Sequence, residues 1–174
     1  MCRVPCDFTR RALWAVDKRG RSRQIAGMSE SKRILIAITG ASGAVHGLRL
    51  LEMLAEVPEV ESHLVISKAG RLTISAELEI DAAEVEAKAD VVHLAGNVGA
   101  PVSSGSFRLD AMIVAPCSVK TASNLAYGNT GDLITRAADV MLKERRTLVL
   151  AVRETPLHTG HLETLRKLAN LGAV

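Results

Sequence analysis

Residues 33–47 have the sequence RILIAITGASGAVHG, in which an apolar run passes through a glycine-rich turn into a helical pattern. A continuous aliphatic run such as residues 34–38 is typical of a strand buried in a parallel sheet. Glycines after such a strand allow a sharp turn and a close approach of the backbone to a ligand. The next helix would present free N–H groups and the positive end of its dipole, which favour a phosphate by roughly 0.3–1 kcal/mol per contact. The stretch therefore predicts an anion site with the hydroxyl of Ser42 at its mouth.

The spacing of the glycines narrows the choice of ligand. Gly40, Gly43 and Gly47 match neither the dinucleotide pattern GxGxxG nor the Walker pattern GxxxxGK[ST], so the turn does not directly imply NAD or a nucleoside triphosphate. A tight turn whose glycines serve packing alone is the alternative interpretation. The residues at the other strand ends are needed to distinguish an anion site from a turn that serves packing alone.

The positive charge of the 174-residue chain is concentrated in its first 27 residues. These carry a net charge of +5, whereas the whole chain carries +3, which leaves −2 for residues 28–174. The basic composition therefore gives no case for a nucleic-acid-binding domain, and we expect no nucleic-acid partner. Because residues 1–27 lack hydrophobic periodicity, we predict that they are a disordered or non-native upstream extension. One folded domain is predicted over residues 28–174.

The composition argues against a disulfide-stabilised protein, a metal-binding protein and a membrane-spanning protein. Three cysteines, at positions 2, 6 and 117, are too few for a disulfide framework, which favours the reducing cytoplasm. Cys117 follows an apolar run and is expected to be a small buried hydrophobe rather than a nucleophile. The five histidines share no metal-ligand spacing, so no metal site is expected. No membrane span is expected either, since the longest apolar run of the first 27 residues is too short for one.

Buried apolar runs alternate with helical patterns along the rest of the chain. Strands are predicted at residues 34–38, 61–66, 91–94, 111–115 and 147–152, and helices at 44–56, 68–78, from 118, over 133–142 and over 161–171. This alternation predicts an α/β protein with a parallel sheet and helices on both faces, in the doubly wound style.

Polar groups follow four of these strands. They are Gly40, Ala41 and Ser42 after the first strand, Ser67 and Lys68 after the second, residues 116–121 after the fourth and residues 153–156 after the fifth. Ligands of open parallel sheets bind outside the carboxyl ends of the strands. Hydroxyls, backbone donors and cations that converge on one edge therefore predict a phosphorylated ligand.

Four segments resemble the flavin prenyltransferases, the UbiX-type flavoproteins. They are GASGA at 40–44, APCSVKT at 115–121, RAADVMLKERR at 136–146 and RETPL at 153–157. The resemblance implies a three-layer α/β/α Rossmann-like fold that binds FMN. It further implies transfer of a dimethylallyl group from dimethylallyl phosphate to reduced FMN. The prenylated FMN would serve a UbiD-type decarboxylase in ubiquinone biosynthesis, and the homo-oligomer of the family is a dodecamer.

The resemblance also assigns roles to individual residues. FMN would be held by Gly40, Ala41, Ser42, Ser67, Ser118, Val119, Lys120, Thr121 and Arg153. Dimethylallyl phosphate would be met by Ser104, Arg136, Lys143, Arg153 and Glu154. The catalytic candidates are Ser42, Glu77 and Glu154, with Glu77 near the reacting ring. Because the chain has no aspartate-rich magnesium motif, the cations would stabilise the departing phosphate and Glu154 would exchange a proton.

Simpler interpretations remain open for three of these residues. Glu77 on an amphipathic helix is more often a solvated carboxylate, and Lys143 belongs to a charge run typical of a helix end. Arg136 can pair with Asp132 or Asp139 on its own helix.

The chain also departs from the family in two places. His46 stands where the family usually has tyrosine, and residues 172–174 resemble a helix cap and the start of a further strand, so the domain is expected to lack a C-terminal segment. Two other functions share this fold. They are an FMN-binding accessory subunit of an aromatic-acid decarboxylase and an FMN-dependent cysteine decarboxylase, although the segment at 153–156 argues against the latter.

Overall fold

A computed structural model describes residues 13–16, 22–25 and 31–174. The chain divides into two units, residues 1–30 and residues 31–174. In the first unit, strands β1 (Leu13–Val16) and β2 (Ser22–Ile25) pair antiparallel, with Leu13 opposite Ile25. The rest of the upstream segment, for which disorder was predicted, lies outside the described residues.

The second unit is built on five parallel strands in the order β5-β4-β3-β6-β7. The strands are β3 (Lys32–Ile38), β4 (Val60–Ile66), β5 (Val91–Leu94), β6 (Ala111–Cys117) and β7 (Thr147–Val152). The helices are α1 (Ala44–Ala55), α2 (Lys68–Leu78), α3 (Ala82–Glu86), α4 (Val119–Ala126), α5 (Leu133–Lys143) and α6 (Thr159–Asn170), with a 3₁₀ turn at Pro101–Ser103. The predicted parallel α/β fold is confirmed.

Two hydrophobic cores lie on opposite faces of the sheet. Alternate residues of β3 supply both, since side chains along a strand point to opposite faces. Leu35 and Ala37 pack in a core with residues of α4, α5 and α6, whereas Ile36 and Ile38 pack with residues of α1, α2 and α3. The result is three layers, helices on sheet on helices, and the carboxyl ends of the strands are left free to form a site.

Helix α3 and strand β6 differ from the sequence prediction, one in its existence and one in its length. Helix α3 was not predicted, because its five residues are too few to show a period; a capping box between Asp81 and Glu84 fixes it. Strand β6 runs two residues further than predicted, through Pro116 to Cys117.

Residues 172–174 form the predicted helix cap and the predicted start of a further strand pairing. After α6, Gly172 has a φ of 99°. The N–H of Val174 donates to Leu148 O at 2.9 Å, and the N–H of Leu150 donates to Val174 O at 2.7 Å. Val174 thus lies beside β7 as the first residue of a parallel pairing. Among the helices of the described residues, none is both long and apolar enough to cross a membrane.

Candidate functional site

A cavity of about 520 Å³ opens at the carboxyl ends of β3, β4, β6 and β7. It is lined by Thr39, Gly40, Ala41, Ser42, Ser67, Lys68, Ala69, Ser118, Val119, Lys120, Thr121, Asn124, Asp132, Arg153 and Glu154. All nine residues predicted to hold the cofactor are in this set, so the four strand ends converge as expected. Two of the three catalytic candidates, Ser42 and Glu154, also line it.

The N-terminus of α4 forms one wall of the cavity. Ser118 caps the helix, since its Oγ accepts from the N–H of Thr121 at 3.3 Å and lies 3.1 Å from the Thr121 hydroxyl. Within residues 31–174, the N–H groups of Val119 and Lys120 donate to no protein acceptor. This helix end therefore offers an anion two backbone donors, two hydroxyls and a positive dipole.

The N-terminus of α1 differs from the prediction. The Glu77 carboxylate on α2 accepts from the N–H groups of Gly43 and Ala44, each at 2.9 Å. These bonds, with Ser42 and Arg153 nearby, lower the pKa of Glu77 below its usual value. The donors predicted to be free for a phosphate are thus occupied by a carboxylate of the chain itself. Sequence could not show this, because the partners are more than 30 residues apart.

Packing explains the glycines of the turn. A Cβ at Gly40 would lie 2.3 Å from the Ala69 Cβ, and a Cβ at Gly47 would lie 2.6 Å from Ala115 O. Gly43 has a φ of 105°, which only glycine adopts readily. The two interpretations of the motif are therefore compatible, since the same close packing brings the turn to the cavity.

Three cations line the cavity, and they are Lys68, Lys120 and Arg153. None of them forms an ion pair within residues 31–174. Two carboxylates, Asp132 and Glu154, line it as well. Asp132 caps α5, accepting from the Thr135 N–H at 2.8 Å. The uncommitted cations give the cavity the charge that a phosphorylated ligand needs.

The remaining predicted site residues do not line the cavity. Ser104 is 2.8 Å from the Ser106 hydroxyl, and Lys143 forms an ion pair of 2.8 Å with Glu144. These residues are neighbours, because a Cβ at Gly105 would lie 3.2 Å from Lys143 Nζ. We call Ser104, Ser106, Lys143 and Glu144 the serine–lysine cluster.

Arg136 and Glu77 also lie outside the cavity lining. Arg136 pairs with Asp139 at 3.1 Å, which is the simpler interpretation of that residue. Glu77 is exposed but adjoins Ser42, which does line the cavity.

The prediction for the lone described cysteine agrees with the structure. Cys117 is buried, and burial raises the pKa of its thiol to about 12, so it is not a thiolate at neutral pH. Among the described residues, no group of histidine, cysteine, aspartate and glutamate side chains could hold a metal ion.

Sequence reasoning did not assign a role to Thr39, Asn124 or Asp132, although all three line the cavity. Thr39 directly follows a buried strand, a position that could have identified it. Asn124 and Asp132 lie within and before helices, where polar residues are common, so no signal in the sequence separated them.

Comparison with known proteins gives four findings, namely one family profile, one relative and two solved structures. The profile of the family described as Flavoprotein matches residues 22–174. Over 143 residues the chain is 52% identical to the flavin prenyltransferase UbiX of Escherichia coli, covering 82% of this chain and 76% of that protein. The structure of AnUbiX in complex with FMN and dimethylallyl pyrophosphate matches with a TM-score of 0.82 at 50% identity, covering 83% of this chain and 77% of the other. A dodecameric FMN-dependent UbiX-like decarboxylase from Escherichia coli matches with a TM-score of 0.80 at 47% identity, covering 82% and 78%.

Proposed function

This chain belongs to the Flavoprotein family and, within it, to the flavin prenyltransferases, and on that premise we propose that its cavity binds FMN and transfers a dimethylallyl group to the reduced cofactor. The observation that carries the proposal is the convergence of all nine predicted cofactor residues on one cavity. The dodecameric relative supports a homo-oligomer.

The cavity fits a flavin nucleotide in size and in the chemistry of its residues. The volume of the cavity, about 520 Å³, lies within the range of roughly 300–1,000 Å³ that is typical of small-molecule sites. The free N–H groups and hydroxyls at the start of α4, together with Lys120, suit a phosphate. The hydroxyls of Ser42 and Ser67 supply further polar contacts.

The reaction requires stabilisation of a leaving phosphate. Reduced FMN, when bound, supplies the electron-rich nucleophile. The C–O bond of dimethylallyl phosphate breaks as the new bond to the flavin forms, and the phosphate departs with the electron pair. We assign Arg153 to the developing phosphate charge, because this residue lines the cavity and its side chain has no ion-pair partner in residues 31–174. The adjacent Glu154 would exchange a proton with the phosphate or the product.

The serine–lysine cluster lies outside the lining of the cavity. Ser104 and Lys143 do not line the cavity of their own chain, so we propose that a neighbouring subunit presents them to dimethylallyl phosphate. Arg136, which pairs with Asp139 and also lies outside the cavity lining, is proposed to meet the substrate on the same condition.

We further propose the biological setting that the family resemblance implies. Prenylated FMN would pass to a UbiD-type decarboxylase in ubiquinone biosynthesis, in the cytoplasm. The domain of residues 28–174 is proposed to carry the cofactor site, with residues 1–27 as an upstream extension.

The deciding experiment is a single-turnover assay on the full chain. The protein is reconstituted with FMN, reduced without oxygen and mixed with dimethylallyl phosphate or, separately, dimethylallyl pyrophosphate. Mass spectrometry of the extracted flavin should show FMN heavier by one prenyl group. Bound but unmodified FMN with both donors would contradict the transferase proposal and favour the accessory-subunit alternative.

Two variants assign the catalytic roles. Glu154→Gln should bind FMN as the wild type does and lose turnover by roughly 10²–10⁴-fold, the usual contribution of a general acid or base. Glu163→Gln, the same substitution at an exposed residue of α6, is the matched control and should leave both unchanged. Undiminished turnover in Glu154→Gln would remove the proton-transfer role.

A further inference from the structure

We propose that Thr39 is a positioning residue of the FMN site, whose buried hydroxyl fixes the N-terminus of α4 against the end of β3. The inference rests on the proposed binding of FMN. It assigns to Thr39 the positioning of four consecutive residues that line the cavity. These are Ser118, Val119, Lys120 and Thr121.

The Thr39 hydroxyl bridges two strands. Its side chain is buried, with 1% exposed. Thr39 Oγ1 donates to Pro116 O at 2.8 Å and accepts from the Ser118 N–H at 2.8 Å. The Thr39 N–H also donates to Pro116 O, at 3.2 Å. Since a hydroxyl has one hydrogen to donate, its donor is fully used inside the protein.

This bridge lies where the regular pairing of the two strands has ended. The register between β3 and β6 runs from Ile34 opposite Ala111 to Ala37 opposite Val114. Two residues further along, Pro116 has no N–H to give to a ladder. The backbone joins the two segments here through the Thr39 N–H and Pro116 O, and the Thr39 side chain adds a second link, to the Ser118 N–H.

The bridge acts directly on the helix that lines the cavity. Ser118 is the N-cap of α4, and its N–H is the group that Thr39 holds. The Ser118 side chain in turn caps Thr121. A shift of Ser118 would move the free N–H groups at the start of α4 together with its two hydroxyls. Because a displacement of about 1 Å is enough to weaken a positioned contact strongly, the Thr39 hydroxyl should control affinity for FMN.

A merely structural hydroxyl would satisfy the same two backbone groups without affecting the ligand. The two roles differ in one measurable respect. A structural role lowers the stability of the ligand-free protein and leaves the affinity of the folded protein unchanged, whereas a positioning role changes the affinity itself.

The test compares Thr39→Val, which keeps the shape and removes the hydroxyl, with Thr39→Ser, which keeps the hydroxyl. FMN affinity of the full chain is measured by quenching of flavin fluorescence, with no turnover required. We expect Kd to rise roughly 10–100-fold in Thr39→Val, the scale on which a displacement of about 1 Å weakens a positioned contact, and to stay within about threefold in Thr39→Ser. Ser62→Ala, which removes another buried hydroxyl that donates to Asp90 and does not line the cavity, is the matched control and should not change Kd.

A second measurement separates stability from position. Thermal unfolding without FMN gives the structural cost of each variant, and amide exchange reports the Ser118 N–H, which should lose its protection in Thr39→Val. An unchanged Kd in folded Thr39→Val, with wild-type binding intact, would overturn the inference and leave the proposed function standing. Failure of the wild type to bind FMN would overturn both. If Thr39→Val does not fold, Thr39→Ala replaces it with the same expected results.

Discussion

Acidification should destabilise this protein through one buried histidine. His63 on β4 is 2% exposed, and its Nδ1 lies 2.9 Å from Nε2 of His93 on β5. Burial lowers the pKa of His63 to about 4, against an ordinary value of 6.5, and Glu61 only partly offsets this. The hydrogen bond between the rings requires one neutral acceptor nitrogen, so protonation of both rings would break it.

The Glu61 carboxylate lies 3.5 Å from His63 Nε2, but its effect on the pKa of His63 is smaller than that of burial. Arg33 on β3 lies 4.9 Å from the Phe107 ring, which meets the His63 ring edge-on at 5.6 Å. Arg33 and His93 lower the pKa of His63, whereas Glu61 and Asp90 raise it. Burial is the largest of these effects, so the neutral ring is the stable form.

The magnitude follows from the pKa difference between the folded and unfolded states. Each pKa unit corresponds to about 1.4 kcal/mol, so a fall of about 2.5 units from the ordinary value corresponds to on the order of 3 kcal/mol. The unfolded chain binds a proton at His63 below about pH 6.5, whereas the folded chain does so only below about pH 4. This part of the stability is complete above pH 6.5, falls as the pH drops from 6.5 to 4, and is constant below that.

Urea unfolding of the full chain between pH 7.5 and pH 4 measures this effect. His63→Asn keeps a polar atom near the Nδ1 position but cannot take up a proton, so its stability should fall less over this range, by on the order of 3 kcal/mol. His46→Gln, at an exposed histidine of α1, should follow the wild type. Parallel curves for wild type and His63→Asn would refute the assignment of the acid sensitivity to His63.

Three further predictions concern the turn, the capping carboxylate and the thiol. Gly40→Ala should destabilise the fold by about 1–3 kcal/mol, because its Cβ would overlap the Ala69 Cβ, whereas Gly96→Ala meets nothing within 4 Å and should cost little in the same urea titration. Glu77→Ala should lower stability at pH 7 by roughly 1 kcal/mol, a typical capping contribution; since the folded-state pKa of Glu77 is lowered, the difference from wild type should disappear as the pH falls through that pKa, and a constant difference would contradict the capping role. Cys117 should resist iodoacetamide at pH 7.5 in the folded protein and react after unfolding in urea, and rapid labelling of the native state would contradict its burial.

The strands and the cavity could be predicted because each depends on local sequence. Buried parallel strands are continuous apolar runs, so β3 and β7 were located to within two residues. The cavity residues followed from the rule that ligands bind beyond the carboxyl ends of such strands. Local pattern was sufficient for both.

Roles that depend on distant contacts could not be predicted. The pairing of Glu77 with Gly43 and the bridge from Thr39 to Pro116 join segments far apart in sequence, and neither has a local signature. Ser104 and Lys143 were assigned by resemblance alone. A resemblance indicates that residues act in one site, but it does not give their positions within a single chain. The short helix α3 was missed because its signal is a capping box rather than a period.

The carboxylate of Glu77 at the start of α1 gives the cavity a direction. Among the helices that begin at the cavity, α1 already carries the Glu77 carboxylate on its first N–H groups, whereas the start of α4 keeps free donors. An elongated ligand with a single anionic end is repelled at the first and attracted at the second. The carboxylate therefore favours the orientation of such a ligand in which the anionic end lies at α4 and the other end faces Ser42.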